Sequence, residues 1–306
     1  MMRHKKMLFL VLFCWMIASC IAQIHLAQAQ DGTSASMVIR HPTGQSEKDK
    51  RYEYMIKLLR LILEHTTEAY GAYELQPNTM PMTPERMIRD VVDGKLDVIQ
   101  FPISERANAE LLPIRIPMRK GLLGWRILLI RKEDQEKFAQ VKTLEDLKQF
   151  RAGYGEQWAD LPVLQANVGN VVTSNQYDAL FVMLAGKRFD YLHRGLHEPW
   201  AELEARKEQL PNLQVEETIL LHYPLGNYLY VSQNNPQLAK RLEEGFRAAI
   251  ADGSFEQLFQ AEYGEIIHKA NIKQRILIEF TNPILPNDML PDDSALWLTF
   301  EDLARY

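Results

Sequence analysis

Cysteine is nearly absent. The chain has 306 residues and two cysteines, Cys14 and Cys20, both close to the N-terminus. A mature chain that begins beyond them has no disulfide and no cysteine-based metal or redox centre. A basic excess is absent as well. The formal net charge is −5, which excludes a global electrostatic footprint for nucleic acid. Beyond the N-terminus no apolar run reaches the ~18 residues that suggest a membrane span. The eight histidines fall in no HExxH pattern, and neither a G-x-S-x-G elbow nor a GxGxxG loop occurs. The zinc-protease, serine-hydrolase and dinucleotide-binding classes therefore lose their sequence basis, and no cofactor or metal is implied.

What is present is globular composition, 46% hydrophobic and 25% charged. That suffices for one large domain or two lobes of ~100–150 residues each. An oxidising compartment without bridges requires a core large enough to stand alone. The N-terminus reads as a secretory leader: Arg3, His4, Lys5 and Lys6, then the apolar "MLFLVLFCWMIAS", then a small-x-small cleavage site after Ala29. Residues 1–29 are thus expected to be a signal peptide. "IASC" at 17–20 offers the alternative of a lipobox, with Cys20 as a lipidated terminus on a membrane.

Apolar spacing predicts alternating strands and helices. "SMVIRHP" opens as a strand, and 52–66 carries apolar residues at helical spacing. "YELQP" is a strand closed by Pro77. Thr83 and Pro84 start a helix that Gly94 ends. "GWRILLIRK" is a strand, Thr143 and Asp146 stand at capping-box spacing, and Asp160 is placed to cap a helix over "LPVLQAN". "YLYVSQN" returns as a strand before two helices broken at Asp252 and Gly253.

Two stretches repeat one pattern: "VVDGKLDVIQF" at 91–101 and "MLAGKRFDYLH" at 183–193. Each ends a helical run with Gly-Lys and sets an Asp ahead of a short apolar strand. A glycine past a helix takes the left-handed turn cheaply, and the lysine suits the negative end of the helix dipole. Alone, each is an ordinary helix-to-strand turn. Together they suggest two similar lobes.

The order of elements resembles the periplasmic solute-binding proteins of the polar amino acid type. The resemblance rests on "MIRDVVDGKLDVIQFPISERANAELLPIRIP", "GWRILLIRKED", "VKTLEDLKQFRAGYG", "YDALFVMLAGKRFDYL" and "YLYVSQNNPQLAKRLEEGFRAAIADGSFEQLFQAEYG", and covers about 36–265. It implies an α/β protein of type 2 periplasmic binding fold, with two lobes, each a mostly parallel sheet flanked by helices, joined by two crossover strands. The expected division is 36–125 plus 246–306 for lobe 1 and 126–245 for lobe 2. Ligand would sit in the cleft and close the lobes by a hinge, beyond the carboxyl ends of the strands.

The resemblance also implies cleft residues. Arg106 occupies the place where family members pair a guanidinium with the ligand carboxylate, and Ser104 adds a hydroxyl. The competing reading pairs Arg106 with Glu105 or Glu110. In lobe 2, Glu156, Gln157 and Trp158 replace the family's small residues, and Tyr154 with Trp158 could stack on a ring or cover a cation. At the strand end where the family often carries an acid for the ligand ammonium, this chain has His193 and Arg194. Arg40 and His41 end the first strand, while Tyr52 and Tyr54 open the next helix. Trp125 reads as hinge packing.

The expectation is a periplasmic, monomeric binding protein for a small polar or anionic solute, amino acid-like or an organic acid. Its partner would be an ABC permease or a membrane sensor, with no nucleic acid. Two alternatives stand beside it. One is a periplasmic enzyme on the same fold, dehydratase-like, with Glu156 and His193 as its acid–base pair. The other is a ligand-sensing subunit of a signalling system. The tail after residue 271 is expected to strap along a lobe; a partner patch at Trp297 and Phe300 is the alternative.

Overall fold

The computed structural model describes residues 36–285 and 296–306. The expected leader, the lipobox and both cysteines lie outside the described residues.

The first half of the chain lays down β1 (Met37–His41), α1 (Glu53–Glu64), β2 (Tyr73–Pro77), α2 (Pro84–Val92), β3 (Val98–Pro102), α3 (Glu105–Glu110) and β4 (Leu111–Ile114). It then runs through β5 (Trp125–Arg131), β6 (Ala152–Gly155), α4 (Leu161–Val168), β7 (Val171–Ser174), α5 (Tyr177–Ala185), β8 (Tyr191–Gly195) and α6 (Pro199–Glu204). The last part holds β9 (Leu213–Val215), β10 (Ile219–His222), β11 (Asn227–Ser232), α7 (Pro236–Ala251), α8 (Ser254–Ala270), β12 (Ile276–Glu279) and α9 (Phe300–Ala304). Thr83 caps α2 through its side chain, and Thr143 with Asp146 closes a reciprocal capping box, both as their spacing predicts. Asp160 makes no cap bond; its carboxylate is used elsewhere.

The α/β class holds, but the sheets are mixed rather than mostly parallel. One sheet has the order β3-β11-β4, with β11 antiparallel to both neighbours. The other runs β12-β10-β5-β8-β6-β7, with β9 also on β5. Its β6–β7, β6–β8 and β10–β12 pairs are parallel, and β5 is antiparallel to β8, β9 and β10. β1 and β2 form a separate ribbon. The chain passes between the sheets before β5, again before β11 and once more before β12; β5 and β11 pair only antiparallel, whereas β12 pairs parallel with β10.

Pairing also distributes the chain differently from the expected division. β11 belongs to the sheet of β3 and β4 although it precedes residue 245. β12 joins β10 in the other sheet although it follows residue 246. The two passages touch where the Tyr223 N–H donates to the Gly124 carbonyl at 3.2 Å.

The repeated stretch has a structural reason. The Asp97 N–H donates to the Arg40 carbonyl at 2.9 Å, and the Asp97 carboxylate accepts from the Arg40 N–H at 2.7 Å. Asp190 does the same to Arg151, at 2.8 Å in each direction. Each aspartate therefore docks its strand onto the segment beside it. The turns themselves differ. Gly94 takes the left-handed conformation at φ 69°, whereas Gly186 stays right-handed at φ −84° and Lys187 makes the left-handed turn at φ 60°.

α1 buries Tyr54, Met55, Leu58, Leu59, Ile62 and Leu63, each worth roughly 1.5–3 kcal/mol when fully taken from water. α7 packs on that face so closely that Gly245 admits no side chain: a Cβ there would sit 1.9 Å from the Ile62 carbonyl oxygen. The other sheet is sealed by Leu180, Phe181 and Leu184 of α5 against Leu129, Phe189 and Leu192. Gly245→Ala must push the helices apart. It is expected to cost about 1–3 kcal/mol, read as a Tm several degrees lower by circular dichroism. An unchanged Tm would show that the contact is loose.

Candidate functional site

A cavity of about 70 Å³ lies between the two sheets. Its walls come from both. Tyr52, Gln100 and Phe101 face it from one side, and Tyr154, Trp158 and Arg194 from the other. The connecting segment and β5 supply Arg119, Leu123 and Arg126. Phe101, Tyr154 and Arg194 sit at the carboxyl ends of β3, β6 and β8, where open α/β sheets place ligands.

Buried charge dominates this wall. Arg126 is 2% exposed and ion-pairs with Asp160. Asp160 also accepts hydroxyl bonds from Tyr154 and Tyr223, each at 2.7 Å. Burial raises the Asp160 carboxyl, but Arg126 and the hydroxyls outweigh it and hold the group below the usual carboxylate range. Arg194 is bound by Glu202 at 2.6 Å and by Glu198 at 3.0 Å, and its guanidinium carbon lies 4.4 Å from the Trp158 ring centre. Arg51 pairs with Asp49 at 2.7 Å, stands 3.8 Å from Glu198 and covers the Tyr177 ring at 4.4 Å.

Arg119 differs. It is 2% exposed, donates to the Tyr263 hydroxyl at 2.8 Å and to the Arg51 carbonyl at 2.9 Å, and lies over the Tyr54 ring. Among the described residues no carboxylate pairs with it, and its Nη1 has no partner. A buried guanidinium without a counter-charge is costly.

Four of the expected ligand residues line this cavity: Tyr52, Tyr154, Trp158 and Arg194. The others are placed elsewhere. Arg40 is committed to Asp97 at 2.7 Å, as the docking pattern requires. His41 is buried, with its Nδ1 on the Pro42 carbonyl at 3.0 Å. Ser104 caps α3 by accepting from the Ala107 N–H. Arg106 is exposed and bound to Glu110 at 2.8 Å, because the helix that Ser104 starts carries it away from the cleft. Gln157 is half-buried and outside the wall. His193 is fully buried behind Tyr154, ring centres 4.7 Å apart, with neither nitrogen hydrogen-bonded. Glu156 is exposed and outside the wall as well, so the expected acid–base pair does not assemble there.

Sequence reasoning missed Arg51, Arg119, Arg126, His197, Gln100 and Asn227 as wall residues. One signal was available: Arg126 interrupts the apolar run of β5. Arg51 and Arg119 are indistinguishable in sequence from surface charges near turns. Trp125, read from the sequence as hinge packing, is buried and stacked on His222, ring centres 3.9 Å apart.

His193 and His197 are both held well below the ordinary histidine range, first by burial, then by the guanidiniums of Arg126 and Arg119 respectively. Unfolded histidine titrates near pH ~6.5, so below it the unfolded chain binds protons that the folded chain refuses. Stability from these groups is full above that pH and falls as pH drops through it, by up to about 1.4 kcal/mol per pH unit for each histidine. His65, raised by its bond to Asp252, works in the opposite direction. The comparison with a variant isolates the effect: His193→Leu should flatten the decline in Tm between neutral and mildly acid pH. Identical slopes would show that His193 is not held neutral.

No family model matches the chain, and no curated protein matches it significantly in sequence. Solved structures do. An ancestral arginine-binding protein bound to arginine is similar at TM-score 0.56 and 16% identity, over 74% of this chain and 98% of that one. An arginine-specific periplasmic binding protein of Salmonella typhimurium is similar at TM-score 0.56 and 13% identity, over 74% and 100%. A histidine kinase sensor domain with similarity to periplasmic binding proteins is similar at TM-score 0.55 and 16% identity, over 75% and 96%. The chain therefore has the type 2 fold shared by periplasmic amino acid-binding proteins and the sensor domains related to them.

Proposed function

We propose that the chain captures a small polar or anionic solute in this cavity and closes its two sheet-centred halves around it, for uptake or for sensing. The observation that carries the proposal is Arg119, a buried cation with an unpartnered Nη1 whose side chain lines a cavity walled from both halves. A ligand favours the closed form only through contacts that the open form lacks. A guest held by Arg119 on the connecting segment, Arg126 on β5, Tyr52 on one side and Trp158 on the other makes such contacts. The leader expected at 1–29 would deliver the chain to the periplasm, where an ABC permease or a membrane sensor could read the closed form. The structures similar in fold support this reading, since they include both binding proteins and a kinase sensor domain.

A thermal-shift screen of the mature chain against amino acids, organic acids and polyamines tests the proposal. It should return a stabilising compound. Arg119→Gln removes a charge-assisted bond worth about 1.5–3 kcal/mol, so it should weaken that compound roughly 10–100-fold. Arg106→Ala, outside the cavity, should leave the shift unchanged. A shift that survives both Arg119→Gln and Trp158→Ala would place the site elsewhere.

A further inference from the structure

The proposed cavity fixes where a solute would sit, and the groups already paired in its wall restrict what the solute can carry. Every carboxylate oxygen that reaches the cavity already has a donor on it. Asp160 Oδ1 accepts from Tyr154, and Oδ2 from Tyr223 and Arg126. Glu198 Oε2 accepts the Gly195 N–H at 2.7 Å, with Arg126 at 3.9 Å. Its Oε1 takes Arg194 at 3.0 Å, with Arg51 at 3.8 Å. Arg51, Arg119, Arg126 and Arg194 all line the same space. An ammonium group placed there would face four guanidiniums and find no free carboxylate.

The unpartnered atoms on lining side chains tell the complementary half. Arg119 Nη1 and Arg126 Nε are buried donors without acceptors. Gln100 Oε1 and Asn227 Oδ1 are buried acceptors without donors. The Gln100 amide is oriented by its Nε2, which donates to the Arg51 carbonyl at 3.0 Å. The free donors suit a carboxylate. The free acceptors are neutral amide oxygens, which suit a hydroxyl or amide N–H and give a cation no counter-charge. His197 lines the cavity too and contributes no charge at neutral pH, because burial and the surrounding arginines keep it unprotonated.

We infer that the guest is a small carboxylate whose second polar group is neutral, a hydroxy acid, and that the site discriminates against the corresponding α-amino acid. This rests on the solute-binding reading of the cavity. The charge pattern predicts selectivity in the direction opposite to a site that clamps both a carboxylate and an ammonium. Like charges brought together without compensation cost enough for discrimination of about 100-fold.

Isothermal titration with matched pairs that differ only at the α-carbon tests this: L-lactate against L-alanine, and L-malate against L-aspartate. At least one hydroxy acid should bind about 100-fold more tightly than its amino partner, and Arg119→Gln should weaken it at least about tenfold. Arg119→Lys, which keeps the charge and loses the fork, should fall between; circular dichroism confirms that each variant is folded. An amino acid binding as tightly as its hydroxy partner overturns the inference, as does failure of both hydroxy acids to bind up to roughly 10 mM. If an amino acid binds and Arg119→Gln with Trp158→Ala abolishes that binding, the cavity stands as the site and only the guest class fails. If any bound acid is indifferent to both substitutions, the cavity reading fails with it.

Discussion

Buried charge must be paired, and in this chain the pairing is concentrated where the two sheets meet. Arg126 crosses from the connecting segment into β5 and is held by Asp160. Glu198 sits among Arg194, Arg51 and Arg126. Because Arg51 comes from the loop before α1, that lattice reaches across the cavity from one half to the other. Removing one member of a buried pair leaves an uncompensated charge, typically at a cost of 3–5 kcal/mol. The wall is therefore stiff in its electrostatics even where its backbone is loop. Arg119 is the exception: it lies buried beside these pairs with no carboxylate of its own among the described residues.

The surrounding architecture supports that exception. Arg119 lies on the passage into β5, and the C-terminal segment is fastened to the same passage. The Leu298 N–H donates to the Lys120 carbonyl at 2.9 Å, and the Trp125 indole donates to the Leu298 carbonyl at 3.2 Å. Trp297 lies over Gly121, where a Cβ would meet its ring at 2.2 Å. The residues after 296 thus act as a strap on the connecting segment, and Phe300 stands 6.3 Å from Trp125, ring centre to ring centre. A motion of the halves about the connecting segments would have to carry this strap with it.

The alternation of elements was legible from apolar period and turn chemistry. β2 and the α2 cap stand where Pro77 and Thr83 put them. The order of motifs carried the fold class. Strand direction was not legible, because a short apolar strand such as β11 reads the same whether its neighbours run with it or against it. The site was half legible. Aromatic residues at strand ends, Tyr154 and Trp158, signal their place because few other positions in a glycine-containing turn hold rings. Charged residues do not: Arg106 and Arg119 are both arginines near turns, and only the N-cap made by Ser104 sends one outward. Asp160 was assigned to a helix cap by local pattern, and tertiary charge took it instead.

A structure of the chain with a bound carboxylate tests the central claim most directly. A carboxylate oxygen is expected at about 2.7–2.9 Å from Arg119 Nη1, with further contacts from Tyr52 on one side and Trp158 on the other. A carboxylate on Arg106 at the surface, or one touching residues of a single half, would contradict it.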